Sequence, residues 1–196
     1  MLVSRVARRA FSLAAILSVA ACANRPPMAL SSQYSPPSHQ SWTAGGEKAS
    51  HPCRVRVAEI RDLRTDPQAM GMMDGRLIRS ADTTAWVHSG FLSLGRDPRL
   101  QMVEGDGQHD LAIDVDIVKA YAMSVTGETR SANVVLRVRY SRNGAPAGEQ
   151  VYRGTENGVN WSNGEVETQS SFDDALENLL KTVDSDLVAR CTSSSQ

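Results

Sequence analysis

Leu111-Ala112-Ile113-Asp114-Val115-Asp116-Ile117 opens the stretch that decides how this 196-residue chain folds. Leu111, Ile113, Val115 and Ile117, and beyond them Tyr121, Met123 and Val125, all fall on odd positions, with Asp114 and Asp116 between them. Apolar residues at period two are the pattern of a strand with one buried face. After a turn around Gly127, the apolar residues Ala132, Val134, Leu136, Val138 and Tyr140 fall on even positions. Antiparallel strands of opposite parity share a buried face when paired residue numbers sum to an odd number, which a loop from Thr126 to Ser131 permits. This pairing predicts Asp114, Asp116, Arg137 and Arg139 together on the wetter face. Lys119 interrupts the odd row. It is expected beyond the cover of the helices, its ammonium reaching water; the alternative is contact with an acidic headgroup at the mouth of a slot between helix and sheet.

Working outward, Asn143-Gly144 turns the chain into a third strand, Glu149 to about Asn157, holding Val151, Tyr152 and Gly154. Ser171 with Asp174 three residues on reads as a capping box. The helix it starts has Phe172, Leu176, Leu179, Leu180, Val183 and Leu187 as its apolar stripe and ends near Cys191. Upstream, Cys53-Arg54-Val55-Arg56-Val57 alternates as a strand, and Ala58 and Ile60 then shift the phase as a bulge would. Asp62 to Gly75 reads as a loop, followed by a weak edge strand near Arg76 to Arg79. Asp82 is placed to cap a helix from Thr83 to about Leu94, with Val87, Phe91 and Leu94 on one side. Gly95 and Pro98 stop it, and a short strand from Leu100 to Val103 follows. The expected architecture is α+β: one antiparallel sheet of about four to five strands, with two helices on one face, in the order βαβββα.

The domain so defined spans residues 51–192, with a Ser-rich tail at 193–196. Residues 22–50 are different material, with Pro-Pro twice, Ser and Gln throughout and Gly45-Gly46. Such a composition buries too little apolar surface to offset its ordering entropy. It is expected to be a disordered tether spanning on the order of 30 Å.

Residues 1–21 carry Arg5, Arg8 and Arg9 and then a small, apolar run from Ala10 to Ala21, too short for the ~20 residues that cross a bilayer. This is the layout of a secretory signal peptide. Val19-Ala20-Ala21-Cys22 resembles a bacterial lipobox. The resemblance implies that the Cys22 thiol takes diacylglycerol, that cleavage falls just before it, and that a third acyl chain, of the palmitate kind, is added to the freed amine. Two or more chains hold stably where one does not. Ala23 and Asn24 follow, with no Asp beside the cysteine, which under the sorting rule of such lipoproteins implies the outer membrane, periplasmic face.

Removing the three signal arginines from 21 basic residues leaves 18 against 22 acidic ones, a net of −4. With no basic stripe and few aromatics, nucleic acid is not an expected partner. Cys53 and Cys191 are the cysteines left once Cys22 is acylated, and the compartment is oxidising. Their pairing would close a long loop and contribute about 5 kcal/mol on the chain-entropy model; two buried free thiols are the alternative. His39, His51, His88 and His109 sit singly, without metal-site spacing, and Gly105 to Asp110 lacks the ligand alternation and final Glu of a calcium loop. There is no G-x-S-x-G, H-E-x-x-H or phosphate-cradling glycine loop. No catalytic residue, metal or cofactor is assigned, and the chain is not expected to be an enzyme.

The order of elements resembles the YajG-type small outer-membrane lipoproteins, with local matches at Ile60-Arg61-Asp62-Leu63-Arg64, at Tyr152-Arg153-Gly154 and in the long closing helix. That family brings no catalytic residues to carry over. The auxiliary lipoproteins of envelope ABC transporters are a neighbouring group, but their Tyr-rich first strand has no counterpart in Cys53-Arg54-Val55-Arg56. The lipopolysaccharide-assembly lipoprotein has comparable architecture. Two functions follow. One is a membrane-anchored binding or structural module with an envelope protein or lipid partner; the other is an accessory to lipid or lipopolysaccharide transport, which a deep apolar slot between sheet and helices would favour.

Overall fold

A computed structural model describes residues 25–36, 51–126, 128–159, 161–162 and 164–193. The hairpin expected from the two parities is its spine. β6 (Leu111–Thr126) pairs antiparallel with β7 (Thr129–Arg142), with Ile113 opposite Tyr140, Val115 opposite Val138 and Ile117 opposite Leu136. β8 (Ala145–Val159) continues the antiparallel ladder and is longer than its apolar residues indicate.

The other edge of β6 is divided between two sets of strands. β2 (Cys53–Asp62) runs parallel along its first half, with β5 (Leu100–Val103) parallel outside it. β3 (Ala69–Met73) runs parallel along the second half, followed by β4 (Arg76–Ser80), antiparallel to β3, and β1 (Met28–Leu30), parallel to β4. Among the described residues the sheet thus has eight strands and is mixed, which corrects the expected antiparallel sheet of four to five. Alternation specifies that a segment is a strand, not which way its neighbour runs. β1 and β3, moreover, of three and five residues, carry too little periodicity to stand out.

β1 lies within the expected tether. Met28, Leu30 and Tyr34 are buried, β1 is zipped to β4, the Ser31 N–H donates to Gln169 Oε1 (2.9 Å) and the Tyr34 N–H to Ser89 Oγ (2.8 Å). Three apolar side chains spaced among prolines and serines suffice once a sheet edge receives them. The remaining tether residues, 22–24 and 37–50, the signal-peptide residues 1–21 and the tail residues 194–196 lie outside the described residues.

A register shift between Ile117 and Lys119 changes the reading of β6. Before it the odd residues face inward; after it Ala120 and Ala122 are buried, and Tyr121, Met123 and Val125 turn to the outer face. One extra residue in a strand reverses its parity.

Both helices cover the inner face. In α1 (Thr83–Leu92) Asp82 Oδ1 accepts from the Ala85 N–H at 2.9 Å, as its cap position requires, and a 3-10 turn, Ser93–Arg96, finishes the helix. α2 (Glu165–Thr192) begins six residues before Ser171. The capping box is therefore not formed: Ser171 Oγ back-bonds to the Glu167 carbonyl (3.1 Å), and Asp174 is buried. Gly164 takes the N-cap position, with Glu165 and Glu167 in the first turn where the helix dipole favours them.

Two short motifs acquire structural reasons. Arg64 is buried with Asp62 (2.6 Å) and also reaches the carbonyls of Ala69 (2.9 Å) and Ala120 (3.3 Å) and Thr83 Oγ1 (2.7 Å), tying β2, β3, β6 and α1 together. Gly154 lies under α2 so closely that a Cβ there would stand 1.9 Å from the Ala175 carbonyl oxygen and 2.9 Å from Leu179 Cβ. The helix–sheet seam is filled by Val87, Phe91, Phe172, Leu176, Leu180 and Val183, all fully buried. Cys53 and Cys191 are joined in a disulfide, Cα atoms 6.0 Å apart, fastening the start of β2 to the last turn of α2.

Candidate functional site: an apolar end beside a charged face

The outer face of the sheet divides at the β6 bulge. On the β2 side, Asp116 is 1% exposed and three arginines converge on it. Arg139 bridges both carboxylate oxygens (2.5 and 3.1 Å), Arg61 donates to Oδ1 (2.8 and 2.9 Å), and Arg137 stands at 3.9 Å. The Arg139 hydrogen bonds hold the Asp116 carboxyl below the usual carboxylate range, against burial and with help from Arg61. Glu59 and Glu149 flank Arg61 and Arg137. The expected grouping of Asp116, Arg137 and Arg139 is therefore present, with Asp114 in register opposite Arg139. Its charges are largely spent on one another.

On the β3 side the same face is apolar. Register places Leu77 of β4, Met72 of β3 and Met123 of β6 in one row across three strands, 48%, 50% and 40% exposed. With Tyr121, Gly71, Gly75 and Ser124 they line an open hollow of about 730 Å³. Further exposed hydrophobic side chains lie toward the hairpin end of the sheet. Val125 and Val159 are exposed, and beyond β8 Trp161 and Val166 are each 86% exposed. The backbone carrying Trp161 is held by Glu167, which accepts from the N–H groups of Trp161 (2.9 Å) and Ser162 (2.8 Å) and from the Ser162 hydroxyl (2.8 Å). Burial acts to raise the Glu167 pKa, but these donors and Arg130 outweigh it and bring it to about 2.

Lys119 sits between the two halves. It pairs with Val135, which pairs with Arg153, so it faces away from the helices, and its Nζ lies 4.7 Å over the Tyr121 ring. The bulge, rather than the end of helical cover, explains why a lysine interrupts the odd row, and its place is not at a helix–sheet mouth. Cys22 and His39 lie outside the described residues. His88 lines a shallow cleft of about 290 Å³ between β2 and α1, and His109 Nδ1 contacts the Gly107 carbonyl (2.9 Å). In the Gly105–Asp110 turn the carboxylates serve arginines: Asp110 meets Arg54 at 3.0 Å and Asp106 meets Arg56 at 3.2 Å. Among the described residues no group of three or more His, Cys, Asp or Glu is placed to hold a metal.

The inward acids of α2 escaped the sequence reading, because apolar periodicity does not register them. Asp173 Oδ1 accepts from Trp86 Nε1 (2.8 Å), and burial pushes its carboxyl up to about 6. Glu177, wholly buried, accepts from the Tyr34 hydroxyl and from Arg96 (3.3 Å). Asp184 packs against Asp97 and Arg99; burial raises its pKa, while hydrogen bonds from Arg99 lower that of Asp97. These acids bind α1, the 3-10 turn and the segment around Tyr34 to α2, and so help position β1.

No protein-family model and no curated protein matches the sequence. Among solved structures, protein XCC0632 from Xanthomonas campestris, of family DUF330, superposes with a TM-score of 0.59 at 11% identity, over 86% of this chain and 98% of that one. The hypothetical protein CT253 from Chlamydia trachomatis gives 0.48 at 9% identity over 68% and 96%. A minor lipoprotein from Acinetobacter baumannii gives 0.37 at 9% identity over 67% and 92%. With the Xanthomonas protein this chain shares its α+β fold; at 11% identity it is the fold alone that is shared.

Proposed function

We propose that this chain is a non-catalytic lipoprotein of the cell envelope, anchored through acyl chains on Cys22 to the periplasmic face of the outer membrane and presenting its domain to an envelope partner. The observation that carries the reading is Val19-Ala20-Ala21-Cys22 behind a short apolar run and Arg5, Arg8 and Arg9. No helix among the described residues is long and apolar enough to cross a membrane, so attachment through acyl chains fits them. A lipoprotein stands among the structural neighbours. The βαβββα order persists inside the larger sheet, which supports the finer kinship with YajG-type lipoproteins.

Between a binding module and a lipid-transport accessory, the seam between helices and sheet favours the first. Gly154 lies against the Ala175 carbonyl, and Phe172, Leu176, Leu180 and Val183 pack the interface between α2 and the sheet, which favours a solid core there over an acyl-chain slot. The test is mass spectrometry of the chain purified from envelope membranes. An amino-terminal peptide beginning at Cys22 with added diacylglycerol and a third acyl chain is expected, and Cys22→Ser should release the protein from membranes. An unmodified amino terminus, or release of the wild-type chain by salt, would end the reading.

A further inference from the structure

The chain arrives from Cys22 at a definite place on the domain. Arg25 is three residues beyond that cysteine, a reach of at most about 11 Å along an extended backbone. The Pro26 carbonyl accepts from Arg76 Nε at 3.2 Å, and the β1–β4 register, Met28 beside Ile78, carries Pro27 alongside Leu77. Folding of β1 onto the sheet thus replaces a long tether with a short one. The acyl anchor leaves the domain beside the start of β4.

The exposed apolar residues gather at that same end. Of the ten large hydrophobic side chains exposed among the described residues, seven lie there: Met72, Leu77, Met123, Val125, Val159, Trp161 and Val166. Pairings connect them. Leu77, Met72 and Met123 form one row, Val159 pairs with Thr129 at the hairpin tip, and Glu165, next to Val166, meets Arg76 at 3.6 Å. Single exposed hydrophobics are ordinary, whereas a contiguous group marks a contact surface. An indole held outward by a backbone pinned to Glu167 suits the membrane interface, where tryptophan is enriched.

We propose that this end of the domain lies in the bilayer interface, with Trp161, Val166, Val125, Met123, Met72 and Leu77 entering the headgroup boundary as a second attachment beside the acyl chains. The occupant of the apolar surface is the membrane itself. The inference rests on the reading of Cys22 as an acyl anchor. Arg76 and Arg130 at this end are matched by Glu165 and Glu167, with Asp74 and Glu128 close by, so the contact is apolar rather than electrostatic. It therefore needs no anionic lipid and survives salt. The charged half of the outer face is then carried clear of the surface and left open to a partner.

The test uses the full processed chain reconstituted into phosphatidylcholine vesicles, with nitroxide labels on Trp161→Cys, Val166→Cys and, as a control in the charged half, Val151→Cys. Collision with oxygen relative to a water-soluble nickel complex is expected to be several-fold higher at 161 and 166 than at 151, and unchanged in 0.5 M salt. Equal, water-like accessibility at all three positions on a chain shown by mass to be acylated overturns the proposal and leaves the anchor reading standing. So does shielding of 161 and 166 that needs no lipid and grows with protein concentration, which would assign the surface to a second copy. An unacylated chain that does not float with vesicles removes the anchor reading and this proposal together. Cys22→Ser is expected to keep the same pattern of accessibilities only at high vesicle concentration.

Discussion

The two halves of the outer sheet face are built on the same strand, β6, and differ in everything but backbone. Below the bulge the outward side chains are Asp114, in register opposite Arg139, and Asp116, locked to arginines of β2 and β7; above it they are Lys119, Tyr121, Met123 and Val125, with Lys119 over the Tyr121 ring and the Tyr121 hydroxyl donating to the Met123 sulfur. The first half consumes its own polarity in internal pairs and contributes to stability. The second leaves apolar surface unspent, which folding alone does not require. A single inserted residue separates them, and the difference teaches where structure ends and contact begins.

The strongest way to break the contrast is to move the bulge. Deleting Ala120 forces either Lys119, or Tyr121 and Met123, into the inward row beside Val134, and cooperative folding is expected to be lost. Deleting Val118 removes the extra residue and leaves Ile117 opposite Leu136, Lys119 opposite Val135 and Ala120 opposite Val134. That chain is expected to fold with a loss of no more than about 2 kcal/mol. Thermal melts followed by circular dichroism separate the two; equal behaviour would mean the bulge does not set the faces.

Next in size is Asp116→Ala. It leaves Arg139 and Arg61 without their shared acceptor, and since both are partly exposed and can hydrate, about 2 kcal/mol is expected rather than the full cost of an orphaned buried charge. Urea denaturation reads this directly. A loss below about 0.5 kcal/mol, the size of an ordinary surface change, would show that the arginines pack without it.

The pH response sharpens the same contrast through signs. Asp116 and Glu167 have lowered pKa values, so their contribution is present above the unfolded carboxylate range near 4 and is lost as pH falls through it. Asp173 is raised to about 6 and Asp184 is also raised, so the native state holds their protons more tightly than the unfolded chain does. Stability is then expected to fall as pH rises from about 4 through 6 and beyond, giving a maximum near pH 4. Asp173→Asn keeps an acceptor for Trp86 and removes the charge. It should gain about 1 to 2 kcal/mol at pH 8 and nothing at pH 4. A gain equal at both pH values would point to packing instead.

Legibility in the sequence followed the length of the pattern. The β6–β7 pairing, the Asp82 cap, the apolar stripe of α2 and the grouping of Asp116 with Arg137 and Arg139 were readable because each rests on periodicity or a local rule. The strands β1 and β3 were not, since they repeat too few times to show a period, and β5 was expected as a strand but without its parallel pairing. The bulge was hidden because Tyr121, Met123 and Val125 continue the odd row in residue type while changing face. Of the apolar end, Leu77 fell within the expected edge strand; Trp161 and Val166 lay in polar surroundings, and their exposure is a property of the fold alone. The inward acids of α2 gave no signal, because their partners Trp86, Tyr34, Arg96 and Asp97 are far away in sequence.

The smallest expected effect is the most discriminating one. Met72→Ser in the apolar half removes a side chain that is half exposed in the isolated domain and sits between Leu77 and Met123. If this half is spent on contact rather than on folding, stability should change by less than about 0.5 kcal/mol. Asp116→Ala, on the same face of the same sheet, should cost several times more. Vesicle association should respond in the opposite order, weakened by Met72→Ser and indifferent to Asp116→Ala. A loss of about 2 kcal/mol or more at Met72 would mean that its exposed half is not what matters: its buried half would be holding β3 against β6, and the two halves of the face would then be the same kind of surface after all.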